Sequence, residues 1–212
     1  TGFAGTFTPS VAWSLYGSLT LASGMTFTST AYNRTFCGRS AYTLTSAGKD
    51  QGSGYLIVTA PGGSLTFQDA YASTSYIVVT NGGLNTNSQT VACYAYADTG
   101  TATRSLTFGT SVVTFSQVSA ASNALYVLAG GMTMSAASAT FVISAASANA
   151  RTFVGAGFPY GTLTYTVASS PGSLTITGAN TFGTLDIGPG RPLILPSSTT
   201  TTVTNMNLAG VP

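Results

Sequence analysis

The sequence predicts an all-β protein, either a β-solenoid or β-helix-like stack of short strands joined by Gly, Pro and Asn turns, or a β-sandwich. Three observations predict this fold class. Apolar and small polar residues alternate along most of the chain, turn residues separate the alternating runs, and a five-residue word occurs twice. Helical patterns are nearly absent: the stretch from Ser144 to Ala148 is short and lacks an apolar stripe, so we expect a loop there.

Alternation with a period of two places successive side chains on opposite faces of a strand, one of which is buried. Threonine is frequent at the polar positions, and β-branched residues suit a pleated surface. Runs of this kind are Leu19-Thr20-Leu21, Met25-Thr26-Phe27, Leu65-Thr66-Phe67, Leu106-Thr107-Phe108, Leu163-Thr164-Tyr165 and Leu174-Thr175-Ile176.

Turn residues lie between these runs, for example at Asn81-Gly82-Gly83, Gly130-Gly131 and Gly188-Pro189-Gly190. Glycine supplies the positive φ that tight turns need, and proline fixes φ at the first turn position. The spacing is irregular, at roughly the 8–12 residues typical of short-strand architectures. Turns alone therefore leave the sandwich and the solenoid open.

The repeated word favours the solenoid. Arg34-Thr35-Phe36-Cys37-Gly38 returns as Arg151-Thr152-Phe153-Val154-Gly155. Loose self-similarity is typical of stacked units that bury their apolar faces against each other. We predict an N-terminal lead-in or linker at residues 1–17, a first β repeat region at 18–131 and a second at 132–212, which we expect to continue in a longer chain.

The composition speaks against catalysis. Charged residues make up only 5% of the chain, and it contains no His and no Glu. General acid–base catalysis needs a titratable group tuned near the working pH, so we expect no enzyme and no cofactor. Cys37 and Cys93 lack metal-ligand spacing, so we expect no metal. A disulfide between the two cysteines is an alternative, but the correspondence between Cys37 and Val154 predicts that Cys37 is a buried, unpaired thiol.

Nucleic acid and membrane are also unsupported as partners. The net charge of +2 is spread over isolated basic residues, without the basic stripe that phosphate binding requires. No apolar stretch approaches the 18 residues of a membrane-spanning helix. Scarce charge does little to keep exposed strand edges apart, so we expect a homo-oligomer.

Several longer runs resemble a repeat-rich, β-helical family of bacteriophage tail proteins that comprises minor tail and tail fibre proteins. They are Asn33-Arg-Thr-Phe-Cys-Gly38, Gly83-Leu-Asn-Thr-Asn-Ser-Gln-Thr-Val91, Thr101-Ala-Thr-Arg-Ser-Leu-Thr-Phe-Gly109 and Gly178-Ala-Asn-Thr-Phe-Gly-Thr-Leu-Asp-Ile187, within a likeness that covers residues 18 to 210. The resemblance implies a β-helical shaft on a virion tail, outside the cell. It also implies a spacer or host-attachment role, contacts with other virion tail proteins, and a trimer.

Exposed aromatic side chains would offer a platform for host-surface glycans, because tyrosine combines an apolar ring with a polar hydroxyl. Tyr71, Tyr94 and Tyr160 are the predicted glycan or receptor contacts, with Tyr76 and Tyr96 as further contributors. The alternative for each of these residues is a ring buried within its strand.

Three other functions remain as alternatives. A bacterial cell-surface adhesin would have the same fold. A carbohydrate-active tailspike would need two carboxylates, for which Asp69 and Asp186 are the candidates. An ice-binding solenoid would need threonine pairs at constant spacing, and the spacing in the sequence varies.

Overall fold

The computed structural model describes residues 4–28, 31–119, 123–167 and 172–209. They form a β-solenoid of about nine turns, with about 52% of the residues in strands and no helix. The predicted solenoid is confirmed and the β-sandwich alternative is wrong, because the strands pair in parallel, coil upon coil. Within the described residues no helix is long and apolar enough to cross a membrane.

The described residues contain twenty-one strands, most of them short. They are β1 (Thr6–Phe7), β2 (Trp13–Leu15), β3 (Leu19–Thr20), β4 (Thr26–Phe27), β5 (Arg34–Cys37), β6 (Ala41–Thr45), β7 (Leu56–Phe67), β8 (Tyr71–Ala72), β9 (Tyr76–Asn85), β10 (Val91–Cys93), β11 (Ala95–Asp98), β12 (Arg104–Thr107), β13 (Val112–Phe115), β14 (Leu125–Tyr126), β15 (Met132–Ile143), β16 (Arg151–Val154), β17 (Pro159–Tyr165), β18 (Leu174–Thr177), β19 (Thr181–Ile187), β20 (Leu193–Ile194) and β21 (Thr202–Leu208).

Each coil contributes to three faces. Face 1 contains β2, β5, the first half of β7, the first half of β9, β11, β14, β16, β18 and β20. Face 2 contains β3, β6, the second halves of β7 and β9, β12 and the start of β15. Face 3 contains β8, β10, β13, the end of β15 and the last parts of β17, β19 and β21.

The alternation in the sequence determines which side chains enter the core. On face 1, Leu56, Ile77, Tyr96, Leu125 and Phe153 lie in register on successive coils, and all are buried. One apolar side chain per strand and coil therefore builds a continuous column inside the solenoid. Because neighbours on both sides cover each coil, no coil needs a core of its own.

The predicted turn at Asn81-Gly82-Gly83 is not a separate loop. It lies inside β9, at the corner where this strand passes from face 1 to face 2. Gly82 has a φ of +83°, and a Cβ atom there would lie 2.1 Å from the Ala60 carbonyl oxygen of the preceding coil. Glycine thus lets the strand bend and lets adjacent coils approach closely.

The first four residues of the repeated word form β5 and β16, whose burial alternates identically. The strand register from coil to coil, however, aligns Arg34 with Leu56 and, through the core column of face 1, with Phe153 instead of Arg151. A shift of two residues preserves the face while changing the column. The two predicted repeat regions stack as one solenoid, since β12 pairs with β15 across residues 131 and 132.

Arginines at the starts of strands lie inside the solenoid. Arg34, Arg104 and Arg151 begin β5, β12 and β16, and all are at most 2% exposed. The Arg34 guanidinium donates hydrogen bonds to the Gln51 and Gly54 carbonyls, and that of Arg151 donates to Asn149 and Ala145. These arginines satisfy corner carbonyls that have no partner in a sheet.

Arg104 is also paired with an acid. Its Nε lies 2.7 Å from Oδ1 of Asp98, and both side chains are fully buried. Oδ2 of Asp98 accepts a hydrogen bond from the backbone N–H of Leu128 on the next coil (2.9 Å), and Arg104 donates to the Leu128 and Gly130 carbonyls. The ion pair therefore connects two adjacent coils.

Candidate functional site

Three tyrosines form a ladder on the outside of the solenoid, and we refer to Tyr55, Tyr76 and Tyr94 as the tyrosine ladder. The ring centroids of Tyr55 and Tyr76 are 5.1 Å apart, and those of Tyr76 and Tyr94 are 5.2 Å apart. Interplanar angles of 56° and 60° indicate tilted and edge-on contacts. The ladder thus runs along the solenoid axis, with one ring on each of three successive coils.

Backbone geometry at the starts of β7, β9 and β11 directs these rings outward. Tyr55 is 41% exposed and precedes the buried Leu56, while Tyr76 is half-buried and precedes the buried Ile77. Just before Tyr55, a Cβ atom on Gly54 would meet the Tyr32 carbonyl oxygen at 1.9 Å. The close coil contact at this corner therefore requires glycine, and the tyrosine that follows it lies at the surface.

An apolar column lies beside the ladder on the outer side of face 1. Ile57, Val78, Ala97, Tyr126 and Val154 are in register on five successive coils. They are half-buried, except for Val78, which is 8% exposed. The outer side of face 1 therefore combines aromatic rings with aliphatic side chains.

Small polar residues occupy the outer side of face 2 instead. Thr43, Thr66, Asn85, Thr107 and Ser135 are aligned on five successive coils. Their rung spacing is constant, although the spacing of threonine words in the sequence varies, because the loops absorb the differences in coil length.

The strands that follow the ladder rings carry no charge at the surface. β7 and β9 contain no charged residue, and the only one in β11 is Asp98, which is buried against Arg104. Arg34, on the neighbouring strand β5, is buried and hydrogen-bonded to carbonyls. A ligand at the ladder would therefore meet rings, methyl groups, hydroxyls and amides.

Of the three predicted contact residues, only Tyr94 belongs to the ladder. Tyr71 is 2% exposed and stacks on Phe67, with centroids 4.8 Å apart. Tyr160 is also 2% exposed, and its hydroxyl donates a hydrogen bond to the Gly155 carbonyl (2.7 Å). Burial raises the pKa of both phenols. Their assignment as surface contacts is corrected, because core packing occupies their rings.

The other contributors divide in the same way. Tyr76 lies in the ladder, whereas Tyr96 is buried and burial raises its pKa well above the usual value. Tyr55 is not among the contacts predicted from the sequence, although residues 53–59 and 74–80 repeat one pattern, SGYLIVT and TSYIVVT. That local repeat, with tyrosine at its third position, is the sequence signal that could have identified it.

The predicted carboxylate pair of a tailspike does not form. Asp69 and Asp186 lie five coils apart along face 3, which is about 24 Å along the axis. Glycosidase carboxylates lie within roughly 5–10 Å of each other. Asp69 instead accepts hydrogen bonds from the backbone N–H groups of Ser46 and Ala47. Among the described residues, no group of three or more His, Cys, Asp or Glu side chains could hold a metal ion.

Both cysteines are free thiols, as the correspondence between Cys37 and Val154 predicts. The expected burial of Cys37 is wrong, since its side chain is half-buried on the outer side of face 1, as is that of Val154. Cys93 lies in the core, and burial raises the pKa of its thiol to about 12.

Comparison with known protein families, curated proteins and solved structures finds no match for this chain. The tyrosine ladder and the solenoid that carries it are the features of the chain that point to a function.

Proposed function

We propose that this chain is a non-enzymatic structural and adhesive segment of a bacteriophage tail fibre or minor tail protein. It acts as a shaft and attaches to host-surface glycan through the tyrosine ladder. The observation that carries the proposal is the position of Tyr55, Tyr76 and Tyr94, which form one outward column on three successive coils.

The solenoid suits a shaft for a physical reason. Parallel pairing joins every coil to the next, and core side chains form columns along the axis. The buried Asp98–Arg104 pair adds a polar connection between coils. Close packing and paired backbone groups resist bending, so the ladder keeps its geometry along the shaft.

The ladder is suited to bind glycan weakly, with several copies of the chain on one particle strengthening the attachment. Each ring offers an apolar surface and a hydroxyl, which matches the apolar faces and hydroxyls of sugars. Several chains on one particle would convert weak contacts into firm attachment through avidity. A virion tail, on which identical chains are assembled, provides such multivalency.

The proposal is tested by incubating the purified chain with envelope polysaccharides from a panel of bacteria and measuring both retention and cleavage. We expect retention without cleavage, and loss of retention when Tyr76 is changed to Ala. The matched control is Tyr16→Ala, because Tyr16 is 73% exposed and follows a face 1 strand instead of preceding one. Retention that is equal in both variants would reject the ladder as the attachment site. Release of oligosaccharides would reject the non-enzymatic role.

Location is tested separately with an antibody against the chain and electron microscopy of phage particles and cells from the same source. Label on tails supports the phage assignment. Label on cell surfaces would instead identify a bacterial surface adhesin, with the same ladder in a different setting.

A further inference from the structure

The tyrosine ladder repeats one arrangement of side chains on consecutive coils. Two residues before the ring stands an exposed hydroxyl, Ser53 on one coil and Thr74 on the next. Two residues after it stands an aliphatic side chain, Ile57 or Val78, which are in register with each other. The same ring with the same types of flanking residue therefore occurs twice, with Ile57 more accessible than Val78, and Tyr94 adds a third ring.

A repeating site fits a repeating ligand. The ring centroids are 5.1 Å and 5.2 Å apart, slightly more than the coil spacing of about 4.8 Å. A linear polymer with one unit per coil would make the same contact on each coil when it lies parallel to the axis. One hexose of an extended chain has about this length. A chain that curls would leave the column after one or two units.

The chemistry of the site selects among polymers. Rings and aliphatic groups match the apolar face of a sugar ring, while Ser53 and Thr74 match its hydroxyls. No surface charge is present on β7, β9 or β11 to pair with a uronate or phosphate. Acidic polysaccharides would thus lose hydration without gaining an ion pair.

An extended peptide fits less well. Peptides commonly bind by adding a strand to a free sheet edge. β7 is paired with β5 and β9, and β11 is paired with β9 and β14, so neither strand has a free edge.

We propose that the tyrosine ladder binds a neutral, extended, β-linked polysaccharide that lies parallel to the solenoid axis with about one sugar per coil. This inference rests on the proposed attachment function and specifies its ligand. Tyr76, at the centre, contacts the chain between its two neighbours and is the residue on which binding depends most.

The experiment is calorimetric titration of the full chain with β-1,4-linked gluco-oligosaccharides of two, three, four and six sugars. Affinity should rise with length until the chain spans the three rings and then level off. α-1,4-linked oligosaccharides of equal length, which curl, and acidic oligogalacturonates should bind more weakly. Affinity that is independent of length, or tighter binding of the acidic or curled chains, would overturn the inference.

Variants assign the binding to the ladder. Tyr76→Ala should weaken binding of the tetrasaccharide by roughly three- to tenfold, as expected for the loss of one ring contact. Tyr76→Phe keeps the ring and should retain most of the affinity, and Tyr16→Ala should change nothing. Circular dichroism verifies that each variant is folded. A folded Tyr76→Ala variant with unchanged affinity would contradict the assignment.

Failure of this inference is distinguishable from failure of the proposed function. Retention on envelope polysaccharide that needs Tyr76, without binding of neutral β-linked oligosaccharides, would refute the ligand class and leave the attachment function standing. Absence of any ladder-dependent retention would refute both.

Discussion

Replacing Asp98 by Ala should destabilise the solenoid strongly, because the change leaves the Arg104 guanidinium buried without a counter-charge. Both side chains are fully buried, and Nε of Arg104 lies 2.7 Å from Oδ1 of Asp98. The same carboxylate accepts hydrogen bonds from the N–H groups of Leu128 (2.9 Å) and Gly100 (3.2 Å). Removing one partner of a buried pair costs about 3–5 kcal/mol, and we expect a loss in that range.

The measurement is urea unfolding followed by far-UV circular dichroism, combined with hydrogen exchange. Protection should fall first in β12 and β14, since Arg104 begins β12 and Leu128 follows β14. Asp50→Ala is the control, because Asp50 is exposed and its carboxylate accepts a hydrogen bond from Gly52 N–H only two residues away. That change should cost less than about 1 kcal/mol.

A double substitution separates loss of the pair from loss of packing. Asp98→Leu combined with Arg104→Met removes both charges and keeps apolar volume, so it should be more stable than Asp98→Ala alone. If Asp98→Ala costs no more than the Asp50 control, the buried pair does not hold adjacent coils together and the reasoning fails.

Other expected outcomes follow from the burial and the surface. Burial raises the pKa of the Cys93 thiol to about 12 and also raises the pKa of Tyr160, so above about pH 9 the folded state keeps protons that the unfolded state releases. The urea midpoint of unfolding should therefore fall as the pH rises above about 9, and it should fall less steeply in Cys93→Ala. A midpoint that stays constant to about pH 11 would contradict this. Gly82→Ala should lower the free energy of unfolding in urea by at least about 2 kcal/mol. Gly17→Ala should change it very little, because the space around Gly17 is open. Sedimentation should show a homo-oligomer, because scarce charge does little to keep exposed strand edges apart, and a stable monomer at high concentration would refute that expectation. The resemblance to tail fibre proteins implies that this oligomer is a trimer. Glycan retention should not change with salt concentration, and loss of retention in high salt would reveal an ionic contact.

The strands could be predicted from the sequence because alternation is local. Leu174-Thr175-Ile176 forms β18 with alternating burial, and Arg34 to Cys37 forms β5 in the same pattern. Each strand needs only its own residues to define an inner and an outer side. Packing against the neighbouring coils decides which side of the strand is buried, and the sequence of one strand does not show how the coils are aligned.

That limit explains the errors among the tyrosines. Cys93 and Tyr96 both enter the core, while Tyr94, between them, faces outward where the chain turns from face 3 to face 1. The alternation of inner and outer side chains is interrupted at a corner, so one of two nearby tyrosines can be buried while the other lies at the surface. Tyr71 shows the same effect, because its ring follows a corner and stacks inside on Phe67. Only the register between coils distinguishes these cases.

The position of charge in this molecule connects its fold with its proposed ligand. A guanidinium has five N–H donors, and corners are where carbonyl groups leave the sheets without partners. Arg34, Arg104 and Arg151 donate to such carbonyls from inside, so three of the six basic side chains are enclosed instead of lying at the surface. The outer sides of β7, β9 and β11, next to the tyrosine ladder, carry hydroxyls, amides and apolar groups without a surface charge. Contacts made by such a surface are short-ranged, so they depend on matching the spacing of the coils and favour a ligand with a regular repeat over one with a charge.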